Sequence, residues 1–190
     1  MNRELALDSL MELINGADVI ISTTGLTSRY LYQKYDNPQH FYNPGAMGLV
    51  SSIGLGISLF FNSGRVFIID GDGSLLMNFS TIITIGINAT HNLVHIVLDN
   101  ASYDSCSGEP TNTNRIELEG FAKLSGYNKV KTLCSISEIN NIREELETGN
   151  GPYFLVIKIT SIGSRSYKRP MNLPLIKERF MSFIETKSSG

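Results

Sequence analysis

The stretch IIDGDGSLLMNF, residues 68–79, sets Asp70, Gly71, Asp72, Gly73 and Ser74 between two apolar runs. Gly71 and Gly73 allow a tight turn, and the amides of Gly73 and Ser74 open a helix N-terminus that favours an anion such as phosphate. Asp72 in the same loop repels phosphate unless a cation stands between them, and a hard Mg2+ ion with oxygen ligands is the usual mediator. Asn100, 28 residues after Asp72 and at the end of the next apolar run, can supply an amide oxygen, and a main-chain carbonyl just beyond it a third ligand. Two phosphate oxygens and a water would complete the octahedron. A lone Gly-Asp-Gly is as a rule a solvated turn, so the pairing with Asn100 carries the weight. Asp70, at the strand end, takes a structural role.

These residues need elements to hold them. Leu5, Leu10, Leu13 and Ile14 recur near helical spacing over residues 3–15, and a β-branched strand follows over 17–24. A polar connection leads to a helix over 46–61, where Gly48, Ser52, Gly54 and Gly56 imply close packing on a neighbour, against the sheet or across a subunit interface. Then come a strand over 65–70, a helix over 74–89 and a strand over 92–100, which make a βαβ unit. A helix over 116–125, a strand over 129–134, a helix over 137–147 with Ser137 as N-cap, a strand over 153–159 and a short amphipathic helix complete the chain. Strands that read as continuous apolar runs separated by helices predict an α/β fold, with a mostly parallel sheet covered by helices on both faces. Such sheets bind ligands beyond the carboxyl ends of their strands, so the polar ends at 22–25, 70–74 and 99–105 should meet in one crevice if their strands are neighbours.

At 190 residues with 42% hydrophobic content the chain is expected to form one domain over 1–190. Its net charge of −2 offers no footprint for nucleic acid. No apolar run is long enough to cross a membrane, and acids interrupt the start where a signal's apolar core would lie, so a cytoplasmic protein is expected. Cys106 and Cys134 form no CxxC pair, and His40, His91 and His95 have neither helical pairing nor cysteine company, which favours packing over metal ligation.

GDGS followed 28 residues later by the Asn of NASY resembles the diphosphate-binding motif of thiamine diphosphate enzymes of the decarboxylase type. The resemblance implies a thiamine diphosphate-binding fold, thiamine diphosphate and Mg2+ as cofactors, and Asp72, Asn100 and the Ser102 carbonyl as metal ligands, with Ser74 on the diphosphate. Thr24 and Gly25, in TTG, are similar to a further diphosphate-side loop, although Leu26 stands where some members carry an acid. PGAMG over 44–48 implies that the Gly45 carbonyl accepts from the cofactor's aminopyrimidine and that Met47 is the apolar wedge over which the cofactor folds. Gly71, Gly73 and Tyr103 complete the implied cofactor-binding set.

ISTTG-TSR, PGAMG, GDGSLLMN, LDN-x-x-Y-x-S and the closing GSR…RP…KERFM are similar to the branch that decarboxylates phosphonopyruvate or sulfopyruvate. This implies an enzyme of phosphonate metabolism converting phosphonopyruvate to phosphonoacetaldehyde and CO2, with sulfopyruvate or another anionic 2-keto acid as the alternative. Leu49 replaces a common His, and Ser107 and Glu109 stand in a loop usually richer in Gly with a Gln, which also leaves open a non-catalytic assembly subunit. No acid here can be assigned the catalytic glutamate that activates the cofactor's pyrimidine, so a partner subunit in a hetero-oligomer is expected to bring it. Arg165, Lys168 and Arg169 could meet an anionic substrate or a partner. Cys106 lacks a nearby activating base and is not taken as a nucleophile.

Overall fold

The structure, a computed structural model, describes residues 1–161 and 166–188. Arg165, and with it the whole GSR triplet at 163–165, lies outside the described residues. In chain order the elements are α1 (Arg3–Leu13), β1 (Val19–Ser22), α2 (Leu26–Tyr35), β2 (His40–Tyr42), α3 (Val50–Ser58), β3 (Val66–Gly71), α4 (Asp72–Met77) and α5 (Thr81–Asn88). There follow β4 (Leu93–Asp99), a 3-10 turn at Thr113–Arg115, α6 (Leu118–Ser125), β5 (Lys129–Leu133), α7 (Ile136–Asn141), α8 (Arg143–Thr148), β6 (Tyr153–Lys158) and α9 (Leu173–Ser188). The six strands pair in parallel in the order β2-β1-β3-β4-β6-β5. The expected α/β fold with a parallel sheet covered on both faces is what the chain adopts.

The central strands are apolar because both of their faces are covered. Val66 and Ile68 of β3 join Val50, Leu55, Ile82, Ile85 and Leu118 from α3, α5 and α6 on one side. Phe67 and Ile69, one residue out of step, join Leu7, Leu10, Leu31 and Ile139 from α1, α2 and α7 on the other. Leu5 of α1 faces solvent instead, so the buried stripe of that helix runs through Ala6, Leu7, Leu10 and Leu13. Close packing of the small-residue helix is with the sheet at Gly54, where a Cβ would fall 2.2 Å from Ile68 Cγ1.

Several boundaries differ from the sequence expectation. α3 starts at Val50 rather than 46, because Gly45 and Gly48 have φ of 113° and 87°, in the left-handed region that no helix accepts. The helix expected over 74–89 is two helices. Asn78, at φ −140°, breaks it, and its side chain donates to Ser52 Oγ of α3 and accepts from the neighbouring Ser80 Oγ, bonds that compete with helix. Ser135, not Ser137, caps α7: its Oγ accepts from the Glu138 N–H, while the Glu138 carboxylate accepts from the Cys134 N–H. The expected helix over 137–147 is divided at Ile142 into α7 and α8. The sequence assigns no element to residues 26–35, where α2 stands with Leu26, Tyr30 and Leu31 buried, and β2 falls within the polar connection, a three-residue edge strand too short to show alternation. Among the described residues no helix is long and apolar enough to cross a membrane.

Candidate functional site

The strand order reverses between β1 and β3, which places the carboxyl ends of β1, β3 and β4 side by side. The three polar strand ends singled out in the sequence therefore meet. A cleft there is lined by Thr24, Met47, Gly71, Asp72, Gly73, Ser74, Asn100, Ser102 and Tyr103. Gly25 and Gly45 border an adjoining cavity, which shares Thr24 with the cleft. The Gly45 carbonyl accepts from the Met47 N–H at 3.0 Å and retains one lone pair for a ligand.

Asp72 heads α4 and is 3% exposed. Its Oδ2 accepts from Thr111 Oγ1 at 2.6 Å, and Thr113 Oγ1, whose proton goes to Asp99 Oδ1 at 2.7 Å, lies 3.3 Å away. Burial pushes its carboxyl up to about 6; the Thr111 hydroxyl works against this, and the nearby Asp99 adds to it. For Asp99, burial also works upward, but the Lys158 ammonium and the Thr113 hydroxyl outweigh it and hold this carboxyl below the usual range. The two acids thus have opposite environments: Asp99 is paired with Lys158, and Asp72 faces the cleft.

Ser74 is buried, and its Oγ accepts from Thr23 Oγ1 at 3.0 Å and from the Gly48 N–H at 3.1 Å. With both acceptor positions engaged, the Ser74 proton is left to donate into the cleft. Tyr103 lies against the turn so closely that a Cβ on Gly73 would come within 2.3 Å of its ring. The loop after β4 is folded on itself: Tyr103 N–H donates to Glu109 O and Thr111 N–H to Ala101 O. Ala101 there has φ of 55°, and its N–H donates to Asp99 Oδ1 at 3.0 Å. Asn100 Oδ1 accepts from the Ser102 N–H at 3.3 Å, whereas Asn100 Nδ2 is buried with no hydrogen-bond partner among the described residues. A buried amide left so costs about 1–3 kcal/mol, which a ligand oxygen would relieve.

Asp72, Asn100 and the Ser102 carbonyl form a hard oxygen set suited to Mg2+. One carboxylate suffices for it, and among the described residues no cluster of three His, Cys, Asp or Glu able to hold a metal exists. Asp70 has the structural place expected of it: fully buried, it accepts from the Gly71 N–H and sits 3.6 Å from the buried His95. His40 is likewise a packing residue in β2. Cys106 and Cys134 are free and exposed.

Sequence reasoning missed Thr23, Thr111 and Thr113, whose hydroxyls orient Ser74, Asp72 and Asp99. It also missed Arg3, which lines the cleft but is neutralised by Asp104 at 2.8 Å. Nothing in a hydroxyl's sequence position says which carboxylate it will meet.

The family described as "Thiamine pyrophosphate enzyme, C-terminal TPP binding domain" matches residues 22–157. Phosphonopyruvate decarboxylase of Streptomyces viridochromogenes is 34% identical over 189 residues, 99% of this chain and 47% of the relative. Phosphonopyruvate decarboxylase of Streptomyces hygroscopicus is 35% identical over 182 residues, 95% of this chain and 45% of the relative. Sulfopyruvate decarboxylase subunit beta of Methanocaldococcus jannaschii is 37% identical over 127 residues, 66% of this chain and 67% of the relative. The chain spans about half the length of the two phosphonopyruvate decarboxylases. With its polar strand ends and glycine turn meeting in one cleft, the chain belongs to the thiamine pyrophosphate enzymes as their C-terminal TPP binding domain.

Proposed function

We propose that this chain is the diphosphate-binding part of a thiamine diphosphate-dependent 2-keto acid decarboxylase acting on phosphonopyruvate, with phosphonoacetaldehyde and CO2 as products. Asp72, Asn100 and the Ser102 carbonyl hold Mg2+, and the Ser74 hydroxyl donates to the diphosphate. Thr24, Gly25, Gly71 and Gly73 supply the surrounding backbone, Tyr103 closes one side, Met47 offers the apolar support and Gly45 its carbonyl. When bound, the cofactor supplies the electron sink that lets a 2-keto acid lose CO2. The observation that carries the reading is the meeting of Asp72, Asn100 and Ser102 beside a Ser74 hydroxyl whose acceptor positions are engaged. The relatives' names support phosphonopyruvate first and sulfopyruvate as the alternative.

A pyrimidine-binding part must complete the site with a glutamate, and we place it on a separate subunit of a hetero-oligomer, in keeping with the relative named subunit beta. Exposed Ile83 and Ile87 on α5 and Phe121 and Leu124 on the adjacent α6 offer apolar surface for such a subunit. Residues 1–190 are taken as one domain, supported by apolar clusters on both faces of one sheet. Two exposed, unpaired cysteines suit a reducing cytoplasm.

Calorimetry with thiamine diphosphate and Mg2+, on the chain alone and co-expressed with a candidate partner, tests the reading. Metal-dependent binding is expected, and its absence in both forms would sink it. Asp72→Ala should abolish the metal dependence; unchanged affinity removes the ligand assignment. Decarboxylation assayed on phosphonopyruvate and sulfopyruvate decides the substrate.

A further inference from the structure

The cavity that adjoins the cleft shares Thr24, Gly25 and Gly45 with the cofactor-binding set, but it also carries two arginines to which the cofactor reading gives no role. It is lined by Arg29 and Arg169 together with Thr24, Gly25, Gly45 and other uncharged residues, and by no acid. Arg29 lies in the first turn of α2, whose cap residue Gly25 has φ of 90°, makes no side-chain cap and is followed by no acid in that turn. Arg169 comes from the segment before α9, which is tied across α2 where the Lys168 N–H donates to Gln33 Oε1 at 3.1 Å.

Four other guanidinium groups are engaged, Arg3 by Asp104, Arg65 by the Gly149 carbonyl, Arg143 by the Glu12 carbonyl and Arg179 by Asp36, whereas Arg115, exposed and away from this cavity, has no side-chain partner among the described residues. Arg29 and Arg169 have no side-chain hydrogen bond or ion pair among the described residues. Two like charges on one cavity with no counter-charge repel each other, and an anion converts that repulsion into attraction. Guanidinium forks match the oxygens of a tetrahedral anion in pairs. The cavity, about 240 Å³, is smaller than the roughly 300–1,000 Å³ that holds drug-sized ligands. It suits a head group of a few atoms.

We infer that Arg29 and Arg169 clamp the terminal tetrahedral oxyanion of the substrate, a phosphonate or sulfonate, in the cavity that adjoins the cofactor cleft at Thr24. The inference rests on the decarboxylase reading for the identity of the ligand. Chemistry decides which end of the substrate belongs there. The carboxylate leaves as CO2 and loses its charge, so cations upon it would stabilise the ground state more than the transition state. The terminal oxyanion keeps its charge throughout, and holding it anchors the substrate without opposing the reaction. The pair therefore governs substrate binding and selectivity, and its removal should raise KM with little change in kcat.

The test is calorimetric titration of the full chain, with thiamine diphosphate and Mg2+ at saturation to fill the diphosphate site, using phosphonoacetate, sulfoacetate and acetate as unreactive probes. The oxyanion probes should bind and acetate should not; the tighter of the two identifies the head group. Arg29→Gln and Arg169→Gln should each weaken that binding by about tenfold or more, the loss of one charge-assisted contact. Arg→Lys variants should lose less, and affinity for thiamine diphosphate should stay at the wild-type value. Arg169 is exposed, so its variant tests the idea even if Arg29→Gln fails to fold. Failure of the wild-type chain to bind either oxyanion, or binding equal in wild type and Gln variants, overturns the clamp. Arginine-dependent oxyanion binding by a chain that binds no thiamine diphosphate either alone or with its partner would sink the cofactor reading and leave the clamp standing.

Discussion

Replacing Thr111 with valine removes one hydroxyl and keeps the side-chain shape, which isolates what that hydroxyl does for Asp72. Thr111 Oγ1 lies 2.6 Å from Asp72 Oδ2. The neighbouring Thr113 Oγ1 is 3.3 Å from that oxygen but 2.7 Å from Asp99 Oδ1, and its single proton goes to the shorter contact. Asp72 thus loses its principal donor in Thr111→Val. A hydrogen bond to a charged group contributes about 1.5–3 kcal/mol, and at about 1.4 kcal/mol per tenfold the metal-dependent affinity for thiamine diphosphate should fall roughly 10- to 100-fold. Calorimetry with Mg2+ present and absent measures it, with a urea curve as the fold control. Thr111→Ser, which keeps the hydroxyl, should recover most of the affinity. Wild-type affinity in Thr111→Val, or a serine variant as weak as the valine one, would refute the argument.

His40 supplies a pH test. Burial lowers its pKa from 6.5 to about 4, with Asp36 opposing, so the unfolded chain binds the proton better. The stability contribution is complete above pH 6.5 and is lost as pH falls toward 4. At pH 5 the loss is about 2 kcal/mol relative to pH 7.5, and urea curves at both values should show it in wild type and not in His40→Gln; parallel losses would exclude His40 as the cause. A Cβ on Gly86 would fall 2.0 Å from the Ser125 carbonyl oxygen, which is backbone and cannot swing aside. Gly86→Ala should force α5 from α6 and cost about 3 kcal/mol, a Tm lower by roughly 6–12 °C; an unchanged Tm would contradict that packing. On Gly73 the obstacle is the movable Tyr103 ring instead. Gly73→Ala should therefore change stability by only about 1 kcal/mol yet weaken cofactor binding, and wild-type cofactor affinity would exclude a role for the ring's position.

Much of the architecture was legible because burial on both faces leaves a direct mark on composition. β1, β3, β4 and β6 read as apolar runs since helices cover them above and below. β2 and α2 were not legible: an edge strand of three residues has too few side chains to show a period, and α2 follows Gly25 with mixed polar residues. The break at Asn78 was hidden for a related reason, since it depends on Ser52 of another helix.

The sequence by itself determined the kind of sheet and the Asp72–Asn100 pair, because strand, glycine turn, helix and strand are consecutive and their spacing is local. Strand order is another matter. Nothing in a run of Val and Ile says which neighbour it pairs with, and only the folded sheet brings β1 beside β3 and so Thr23 onto Ser74. The tertiary structure likewise decided that Thr111 would hold a carboxylate 39 residues earlier in the chain. It also set Arg29 and Arg169 on one cavity. Hydrogen bonds and charges act over a few ångströms of space, whatever the distance along the chain.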